Sequence, residues 1–178
     1  TLVEEVRSPE GNLPEKKLKR APGAGAMAVR IDEIPDDAAQ RRPSGIGELD
    51  RVLGGGVVDG SVVLVGGDPG IGKSTLLLQA GDALSRATAT LYVTGEESLR
   101  QVSLRARRLG VAGDALQLLA ETSIETIIEH AERARARVLV IDSIQTMFAQ
   151  SVESSPGSAS QVRETAAALV RFAKASGV

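Results

Sequence analysis

The sequence predicts an α/β fold in which a mostly parallel, twisted β-sheet is covered by helices on both faces. Segments with strand and helix character alternate along the chain, and the strands are aliphatic throughout instead of alternating between apolar and polar residues. Strands buried on both faces need this continuous apolar character. With 178 residues and 42% apolar content, the chain has room for one core, and with only 2% aromatic residues that core must be aliphatic.

The first 28 residues are predicted to be a flexible leader, and residues 29–178 are predicted to form the core. A charge run at 15–20 is followed by a linker of small residues at 21–26. The charge run could contact nucleic acid, but such runs are more often solvated tails. Residues 29–34 alternate in the manner of an edge strand that stops at the next residue, a proline.

The other elements follow from hydrophobic periodicity and from turn signals. Apolar residues at helical spacing between 46 and 53 predict a short helix that ends at the triple glycine Gly54–Gly56. Thr122 and Glu125 have the spacing of a capping box at the start of a later helix. Buried strands are predicted at 61–65, 89–94, 116–120 and 138–141. Helices are predicted from residue 76 onward and at 98–109, 124–134 and 162–173.

A glycine-rich loop connects the first aliphatic strand to the helix that follows it. Strand, glycine loop and helix together aim backbone N–H groups and a helix N-terminus at a phosphate. Lys73 would add a point charge near the outer phosphates, and the Ser74 hydroxyl is placed to bind Mg²⁺. The loop therefore predicts a site for ATP or ADP with Mg²⁺. Its residues fit G-x-x-x-x-G-K-[ST] and are Gly67, Asp68, Pro69, Gly70, Ile71, Gly72, Lys73, Ser74 and Thr75.

Two carboxylates follow strands at the sheet edge where the phosphate loop is expected. Asp142 ends an aliphatic strand, which is the Walker B pattern, and would hold Mg²⁺ through water. Hydrolysis also needs a carboxylate that orients or deprotonates water. Many P-loop ATPases carry that acid directly after the Walker B aspartate, where this chain has Ser143. Glu96 is therefore predicted to be the catalytic base, together with Lys73 in the catalytic set; the alternative for Glu96 and Glu97 is helix capping.

Composition excludes several classes of protein for this stretch of sequence. It has no cysteine, which excludes a disulfide and a thiolate metal site within it. It has neither a run of about 18 apolar residues nor the shape of a signal peptide, so a cytoplasmic protein with no membrane partner is predicted. The net charge is −2, so nucleic-acid binding would have to use a local basic patch.

A glutamate after the second strand, instead of one beside Asp142, resembles the RecA/DnaB/KaiC class of P-loop ATPases. Within that class, the chain resembles the RadA (Sms) family of bacterial DNA-repair proteins. The most particular stretch is Ser155–Glu164, because general members of the class do not share it. The resemblance runs from residue 43 to the end of the sequence. The other segments that carry it are 44–56, 66–75, 92–98 and 141–146.

The resemblance implies a RecA-like fold, truncated on its C-terminal side, in a DNA-dependent ATPase. It implies a hexameric ring that works as a DnaB-type helicase and promotes branch migration in recombinational DNA repair. The implied partners are single-stranded DNA, recombination intermediates and a recombinase such as RecA. The loop 147–160 would face DNA, and Gln145 would link it to the γ-phosphate. Arg105, Arg107 and Arg108 would contact DNA or another subunit, unless they form a plain exposed helix face.

Parts of the family pattern are missing from this sequence. These are a zinc site with four cysteines, a Lys-Asn-Arg-Phe-Gly motif, a Lon-protease-like domain and the strands expected after the last helix. Groups supplied in trans can contribute about 10³–10⁵ in rate. Weak or absent ATP hydrolysis is therefore expected from these 178 residues alone, with nucleotide binding retained.

Two other functions remain open at this stage. In a KaiC-like regulatory ATPase, the nucleotide state would control partner binding instead of strand movement. A P-loop kinase would need an arginine-rich lid, and no such segment is present between Asp142 and Val178. The stretch Ser155–Glu164 favours the DNA-dependent motor over the regulatory ATPase.

Overall fold

The computed structural model describes residues 2–5, 29–33, 41–111, 113 and 115–178, and they form an α/β structure. None of the helices in these ranges has the length and apolar content that crossing a membrane requires. The helices are α1 (Gly47–Val52), α2 (Lys73–Ser85), α3 (Leu99–Arg108), α4 (Ile124–Arg133) and α5 (Ala159–Ser176). The strands are β1 (Leu2–Glu5), β2 (Arg41–Arg42), β3 (Val57–Val58), β4 (Val62–Val65), β5 (Thr90–Thr94), β6 (Leu116–Ala120) and β7 (Val138–Asp142). Single 3₁₀ turns occur at Ile31–Glu33 and Ile144–Thr146.

A three-stranded parallel sheet with the order β6–β5–β7 forms the centre of the structure. At its C-terminal edge, Thr94 of β5 lies in register with Ala120 on one side and with Asp142 on the other. Because the strands are parallel, the loops that follow all three emerge at this same edge. The predicted parallel α/β architecture is therefore confirmed, and the edge where a ligand is expected is well defined.

Helices cover both faces of the central strand. On one face, Leu91 and Val93 pack in a buried cluster with residues of α4. On the other face, Tyr92 packs with Leu78 of α2 and Val102 of α3. Successive side chains of a strand point to opposite faces, so β5 needs apolar character at every inner position. All five residues of β5 are buried, which explains why Leu91, Tyr92 and Val93 follow one another without a charged residue.

The strand that leads into the phosphate loop is not hydrogen-bonded to the central sheet. Instead β4 pairs antiparallel with β1, and β2 pairs antiparallel with β3 in another two-stranded sheet. The sequence predicted no strand at 2–5. Helix α2 nevertheless packs on β5 and β7, so the loop stays close to the central sheet. Residues 1 and 6–28, which include the charge run and the linker, lie outside the described residues, and the division of the chain at residue 28 stays a prediction.

The edge strand predicted at 29–34 is wrong over the residues that the structure describes. Ile31–Glu33 forms a 3₁₀ turn, closed by a hydrogen bond from the Glu33 N–H to the Arg30 carbonyl at 3.1 Å. The Arg30 guanidinium also donates twice to the Asp32 carboxylate, at 2.9 Å each. The alternating charges therefore form a local ion pair instead of marking the two faces of a strand.

The capping box predicted for α4 from Thr122 and Glu125 is wrong. The N-cap is Ser123, not Thr122, and its Oγ accepts from the Thr126 N–H. Ser123 Oγ also donates to the Glu125 carboxylate at 3.0 Å. Both Thr122 and Ser123 can cap a helix, so spacing alone could not choose between them.

Asp59, at the turn between β3 and β4, joins two distant parts of the chain. Its Oδ1 accepts from Arg42 Nε at 2.7 Å, and its Oδ2 accepts from Arg42 Nη2 at 2.9 Å and from Arg137 Nη2 at 2.5 Å. The hydrogen bonds from Arg42, and then those from Arg137, lower the pKa of the Asp59 carboxyl below its ordinary value of 3.8, although burial opposes this. The hydrogen bonds to Asp59 also raise the pKa of the Arg42 guanidinium.

Replacing Asp59 with asparagine is expected to lower the free energy of unfolding at neutral pH by about 1–2 kcal/mol. A carboxyl group whose pKa is lower in the folded state stabilises the fold above its unfolded pKa and loses this effect as the pH falls through its folded pKa. The difference between wild type and Asp59→Asn should therefore be constant near neutral pH and shrink below about pH 4. Urea unfolding at a series of pH values measures it.

The control for this prediction is Glu48→Gln. Glu48 is bonded to Arg51 in an exposed ion pair on α1, and such pairs contribute little, so the expected change is within about 0.5 kcal/mol. If Asp59→Asn lowers the free energy of unfolding equally at neutral and at acid pH, the ion pair does not carry the effect.

Candidate nucleotide-binding site

The phosphate loop lies between β4 and the first turn of α2 and faces solvent. Helix α2 begins at Lys73, and its N-cap Gly72 has a φ of 102°, in the left-handed region that favours glycine. No side chain caps this end of the helix. Residues 66–72 are exposed, and Ile71 is 70% exposed. The first backbone N–H groups of α2 are therefore accessible to an anion.

The Lys73 ammonium group lies inside the curve of this loop. Its Nζ donates to the backbone carbonyls of Gly67 at 2.7 Å and Asp68 at 2.8 Å. The same carbonyl of Asp68 accepts from the Ile71 N–H at 3.4 Å, which closes the loop on itself. Because a phosphate is charged, it would be a stronger acceptor for the ammonium group than these neutral carbonyls. The geometry thus places one cation beside the open end of a helix.

The Asp142 carboxylate, at the C-terminal end of β7, is held by two hydroxyl groups. Its Oδ1 accepts from Ser74 Oγ at 2.9 Å, which connects the first turn of α2 to the central sheet. Its Oδ2 accepts from Tyr92 Oη at 2.5 Å. Burial, followed by the hydrogen bond to Asp142, raises the pKa of Tyr92 far above its ordinary value of 10.0, so the phenol stays a proton donor.

Glu96 lies beside Asp142 at the end of the neighbouring strand. Its Oε1 accepts from Ser143 Oγ at 2.7 Å, and the Gly95 N–H donates to the Asp142 carbonyl at 3.0 Å. A Cβ on Gly95 would lie 2.0 Å from Thr146 Oγ1, so only glycine allows this close approach. Glu96 is exposed, so its carboxylate is accessible to a water molecule or a ligand.

Glu97 is directed to different partners, although it follows Glu96 directly. Thr94 Oγ1 accepts from the Glu97 N–H at 3.0 Å and donates to the Glu97 carbonyl at 3.1 Å, which fixes the turn after β5. The Glu97 carboxylate accepts from Arg105 Nη1 at 2.9 Å. The two neighbouring glutamates therefore have different environments, and only Glu96 is bonded to the segment that follows Asp142.

Two hydrogen bonds between residues that are neighbours along the chain bring the predicted site residues together. Lys73 and Ser74 are neighbours in α2, Ser74 is bonded to Asp142, and the residue after Asp142 is bonded to Glu96. Of the remaining loop residues, Gly70 and Pro69 are exposed at the tip of the loop, and Thr75 is half-buried in the first turn of α2. The roles assigned to each of these residues stay predictions.

The oxygen atoms of Ser74 and Asp142 fit a small hard cation. Across the described ranges, no group of three or more histidine, cysteine, aspartate or glutamate residues could hold a metal ion. Mg²⁺ needs no such cage, since it is usually bound through one or two protein oxygens, substrate phosphates and water. A hydroxyl and a carboxylate 2.9 Å apart beside the phosphate loop are the donor set expected for a cation shared with a phosphate.

For Arg105, the alternative of a plain exposed helix face is wrong. Its side chain is only 14% exposed and is paired with Glu97, whereas Arg107 and Arg108 are exposed on α3. Arg105 follows Val102 by three residues, so helical periodicity places both on the buried side of the helix. That spacing was a usable signal for a buried arginine, but it does not identify the partner.

Buried residues attach both ends of the loop at 147–160 to the rest of the structure. Met147 and Ala149 are buried at its start. Gln161, the third residue of α5, is 2% exposed and bonds back to the loop. Gln145 is exposed in the 3₁₀ turn before the loop, and its proposed link to a γ-phosphate stays a prediction. The loop is thus anchored at both ends while its middle, around Pro156, is exposed.

Comparison with known proteins identifies the family of this chain. The family model described as "AAA domain" matches residues 29–178. The chain belongs to this family. The match includes the phosphate loop, Glu96 and Asp142, so all the predicted site residues lie within a P-loop ATPase domain.

The similar curated proteins are bacterial DNA repair proteins named RadA, which confirms the family resemblance. The RadA of Pseudomonas aeruginosa is 58% identical over 149 residues, covering 84% of this chain and 32% of that protein. The RadA of Escherichia coli is 50% identical over 180 residues, covering 99% of this chain and 39% of that protein. The RadA of Bacillus subtilis is 48% identical over 178 residues. The chain thus spans 32% to 39% of the length of these relatives.

Proposed function

We propose that the chain is the ATP-binding and ATP-hydrolysing core of a DNA-dependent motor that acts in recombinational DNA repair. The observation that carries this proposal is the pair of hydrogen bonds from Ser74 to Asp142 and from Ser143, the next residue, to Glu96. They support a site in which the phosphate loop, two oxygens suited to Mg²⁺ and the Glu96 carboxylate act together at one edge of the sheet. Phosphoryl transfer to water requires these three components. The RadA relatives supply the context of DNA repair.

Each residue would have a defined role in hydrolysis. The first N–H groups of α2 would bind the phosphates, and Lys73 would turn from the Gly67 carbonyl to the outer phosphate oxygens. Bound Mg²⁺ would neutralise charge on the phosphates, and Ser74 and Asp142 would hold it. Glu96 would orient a water molecule and accept its proton, while the Ser143 hydroxyl keeps the Glu96 carboxylate at the strand end.

The proposal extends to the assembly and to its DNA substrate. A hexameric ring with helicase activity, branch migration on recombination intermediates, cooperation with a RecA-type recombinase and a cytoplasmic location follow from the resemblance to the RadA family. The loop 147–160 begins directly after the 3₁₀ turn that follows Ser143. A change at the hydrolysis site could therefore reach a DNA-facing loop over only a few residues.

ATP hydrolysis by the full-length protein, measured with and without single-stranded DNA, tests this function. DNA is expected to raise the rate, and its binding should weaken steeply with salt because Lys and Arg contacts to phosphates release counterions. If single-stranded DNA does not raise the rate of ATP hydrolysis, and if the affinity for DNA does not fall with salt, the motor is contradicted and the regulatory ATPase is favoured.

Lys73→Ala is the nucleotide control in this experiment. Charge-assisted hydrogen bonds contribute about 1.5–3 kcal/mol, so triphosphate affinity should fall by about 10- to 100-fold and hydrolysis should be lost. Lys174→Ala, which removes a lysine from α5 away from the loop, should leave both unchanged. If Lys73→Ala binds and hydrolyses ATP as the wild type does, the loop is not the triphosphate site.

A further inference from the structure

We propose that Tyr92 and Arg105 are positioning residues that hold the Asp142 carboxylate in the orientation required for metal-dependent nucleotide binding. The inference rests on the proposed function, because it concerns the same site. Neither residue belongs to a motif that predicts this role. Tyr92 is a core residue of β5, and Arg105 lies in the last turn of α3, on the side of the sheet that α2 also covers.

Tyr92 and Ser74 divide the two oxygens of Asp142 between them. Oδ2 accepts from Tyr92 Oη at 2.5 Å, and Oδ1 accepts from Ser74 Oγ at 2.9 Å. The Tyr92 residue is completely buried. A buried hydroxyl that lost its acceptor would destabilise the core, so the Tyr92–Asp142 bond fixes the carboxylate plane strongly.

Arg105 supports the same oxygen from the other side. Its Nη2 lies 3.7 Å from Asp142 Oδ2 and donates to Tyr92 Oη at 3.4 Å, while Nη1 donates to Glu97 at 2.9 Å. The guanidinium group therefore contacts the turn that presents Glu96 as well as the oxygen of Asp142. Its planar fork is suited to bridging two acceptors in a fixed geometry.

One atom of Arg105 indicates that its burial does not serve stability alone. Within the part of the chain that the structure describes, its buried Nε has no hydrogen-bond partner. A buried donor without a partner is unfavourable, and an aliphatic side chain would avoid it. The arginine is compensated through Glu97 and Asp142, and Asp142 belongs to the proposed nucleotide site.

The consequence concerns the step in which nucleotide and Mg²⁺ bind. Ser74 Oγ can donate its proton to Asp142 Oδ1 and still offer a lone pair to a cation, so the orientation of the Asp142 carboxylate also sets the direction of that lone pair. Tyr92 and Arg105 hold Oδ2, which keeps Oδ1 directed at Ser74. Removing the Tyr92 hydroxyl should therefore weaken nucleotide binding only where Mg²⁺ contributes to it.

The test compares the affinity of the full-length protein for ADP in Mg²⁺ with its affinity for ADP in EDTA. Tyr92→Phe keeps the ring in the core and removes only the donor. The gain in affinity that Mg²⁺ gives is expected to fall by about 10-fold in this variant, while the affinity in EDTA stays within about two-fold. Arg105→Gln should reduce the same gain, and in hydrolysis both variants should lower kcat more than they raise KM for ATP.

Two matched variants separate positioning from general damage to the core. Thr90→Val removes another buried hydroxyl from β5, one that donates to the Thr88 carbonyl at 3.1 Å. Arg108→Gln makes the same charge change at an exposed position of α3. In both variants, Mg²⁺ should raise the affinity for ADP as much as it does in the wild type. Thermal unfolding of each variant shows whether it is folded. If Tyr92→Phe does not fold, Arg105→Gln provides the test of the inference.

The outcomes distinguish this inference from the proposed function. If Mg²⁺ raises the affinity of the wild type for ADP, and raises it as much in Tyr92→Phe and in Arg105→Gln, the inference is overturned and the proposed function stands. Equal losses in Mg²⁺ and in EDTA would also overturn it, because they show a structural role only. If the wild type gains nothing from Mg²⁺, or binds ADP no better than Lys73→Ala, the proposed function fails and the inference fails with it.

Discussion

Glu96→Gln is expected to lower the rate of ATP hydrolysis by about 10²- to 10⁴-fold and to leave nucleotide affinity nearly unchanged. Glutamine has the same shape as glutamate, and its carbonyl oxygen can still accept from Ser143 Oγ, which is 2.7 Å away in the wild type. The substitution therefore removes the charge and the proton acceptor without removing the contact that holds the side chain. A loss of turnover without a loss of binding is the result expected for a general base.

The measurement is phosphate release by the full-length protein under saturating ATP, together with a nucleotide titration. Glu132→Gln is the matched control, because Glu132 is an exposed glutamate on α4, away from the sheet edge. Ser143→Ala adds a graded test, since it keeps the Glu96 carboxylate but removes its hydrogen-bond donor. Its rate should lie between wild type and Glu96→Gln.

Two results would change the assignment of the base. A Glu96→Gln protein with the wild-type rate would show that another group activates water. Parallel losses of affinity and rate would show that Glu96 acts in binding instead. Glu97 is a poor substitute in either case, because its carboxylate is paired with Arg105 at 2.9 Å and is directed away from Ser143.

The residues of the candidate site that the structure brings together could be chosen from the sequence by simple rules. The phosphate loop needs only glycines, a lysine and a flanking strand and helix. Asp142 and Glu96 then meet because the ends of parallel strands share one edge of a sheet, a rule that holds at any separation along the chain. The Ser74–Asp142 bond joins residues 68 positions apart, and it needs more than that rule, because β4 is not hydrogen-bonded to the central sheet and it is the packing of α2 on β5 and β7 that brings Ser74 to Asp142.

The features that sequence could not predict depend on tertiary partners. Spacing places Arg105 on the buried side of α3, but it does not show that Glu97 accepts from Arg105 or that Asp142 lies beside it, because those contacts form only when α3 packs on β5. The pairing of β4 with β1 involves two short strands with no turn signal joining them. Periodicity describes which face of an element is buried, but it does not say which element covers that face.

Gln161→Met is expected to lower the free energy of unfolding by about 3 kcal/mol. The Gln161 side chain amide accepts from the Ala149 N–H at 2.9 Å and donates to the carbonyls of Val152 at 2.8 Å and Ser154 at 2.9 Å. Methionine has a similar length but lacks these donor and acceptor groups. Backbone groups beneath the loop would then lose their partners, and leaving such groups unsatisfied in a buried site is costly.

Urea unfolding measures this effect, and Gln150→Met is its control, because Gln150 is exposed in the same loop. The Gln150 variant should change stability by no more than about 0.5 kcal/mol. Limited proteolysis should cut the Gln161→Met protein within 150–158 faster than the wild type, because the loop loses its anchor to α5 while the rest of the helix keeps its packing.

The same variant connects stability to the proposed function. If the anchored loop faces DNA, Gln161→Met should retain ATP binding, because the phosphate loop and Asp142 are unchanged, and should lose stimulation of hydrolysis by single-stranded DNA. Wild-type stimulation in a protein whose loop is cut rapidly would separate the loop from DNA recognition. Unchanged stability would instead show that water satisfies the backbone groups that Gln161 now binds, and that the loop does not depend on this side chain for its conformation.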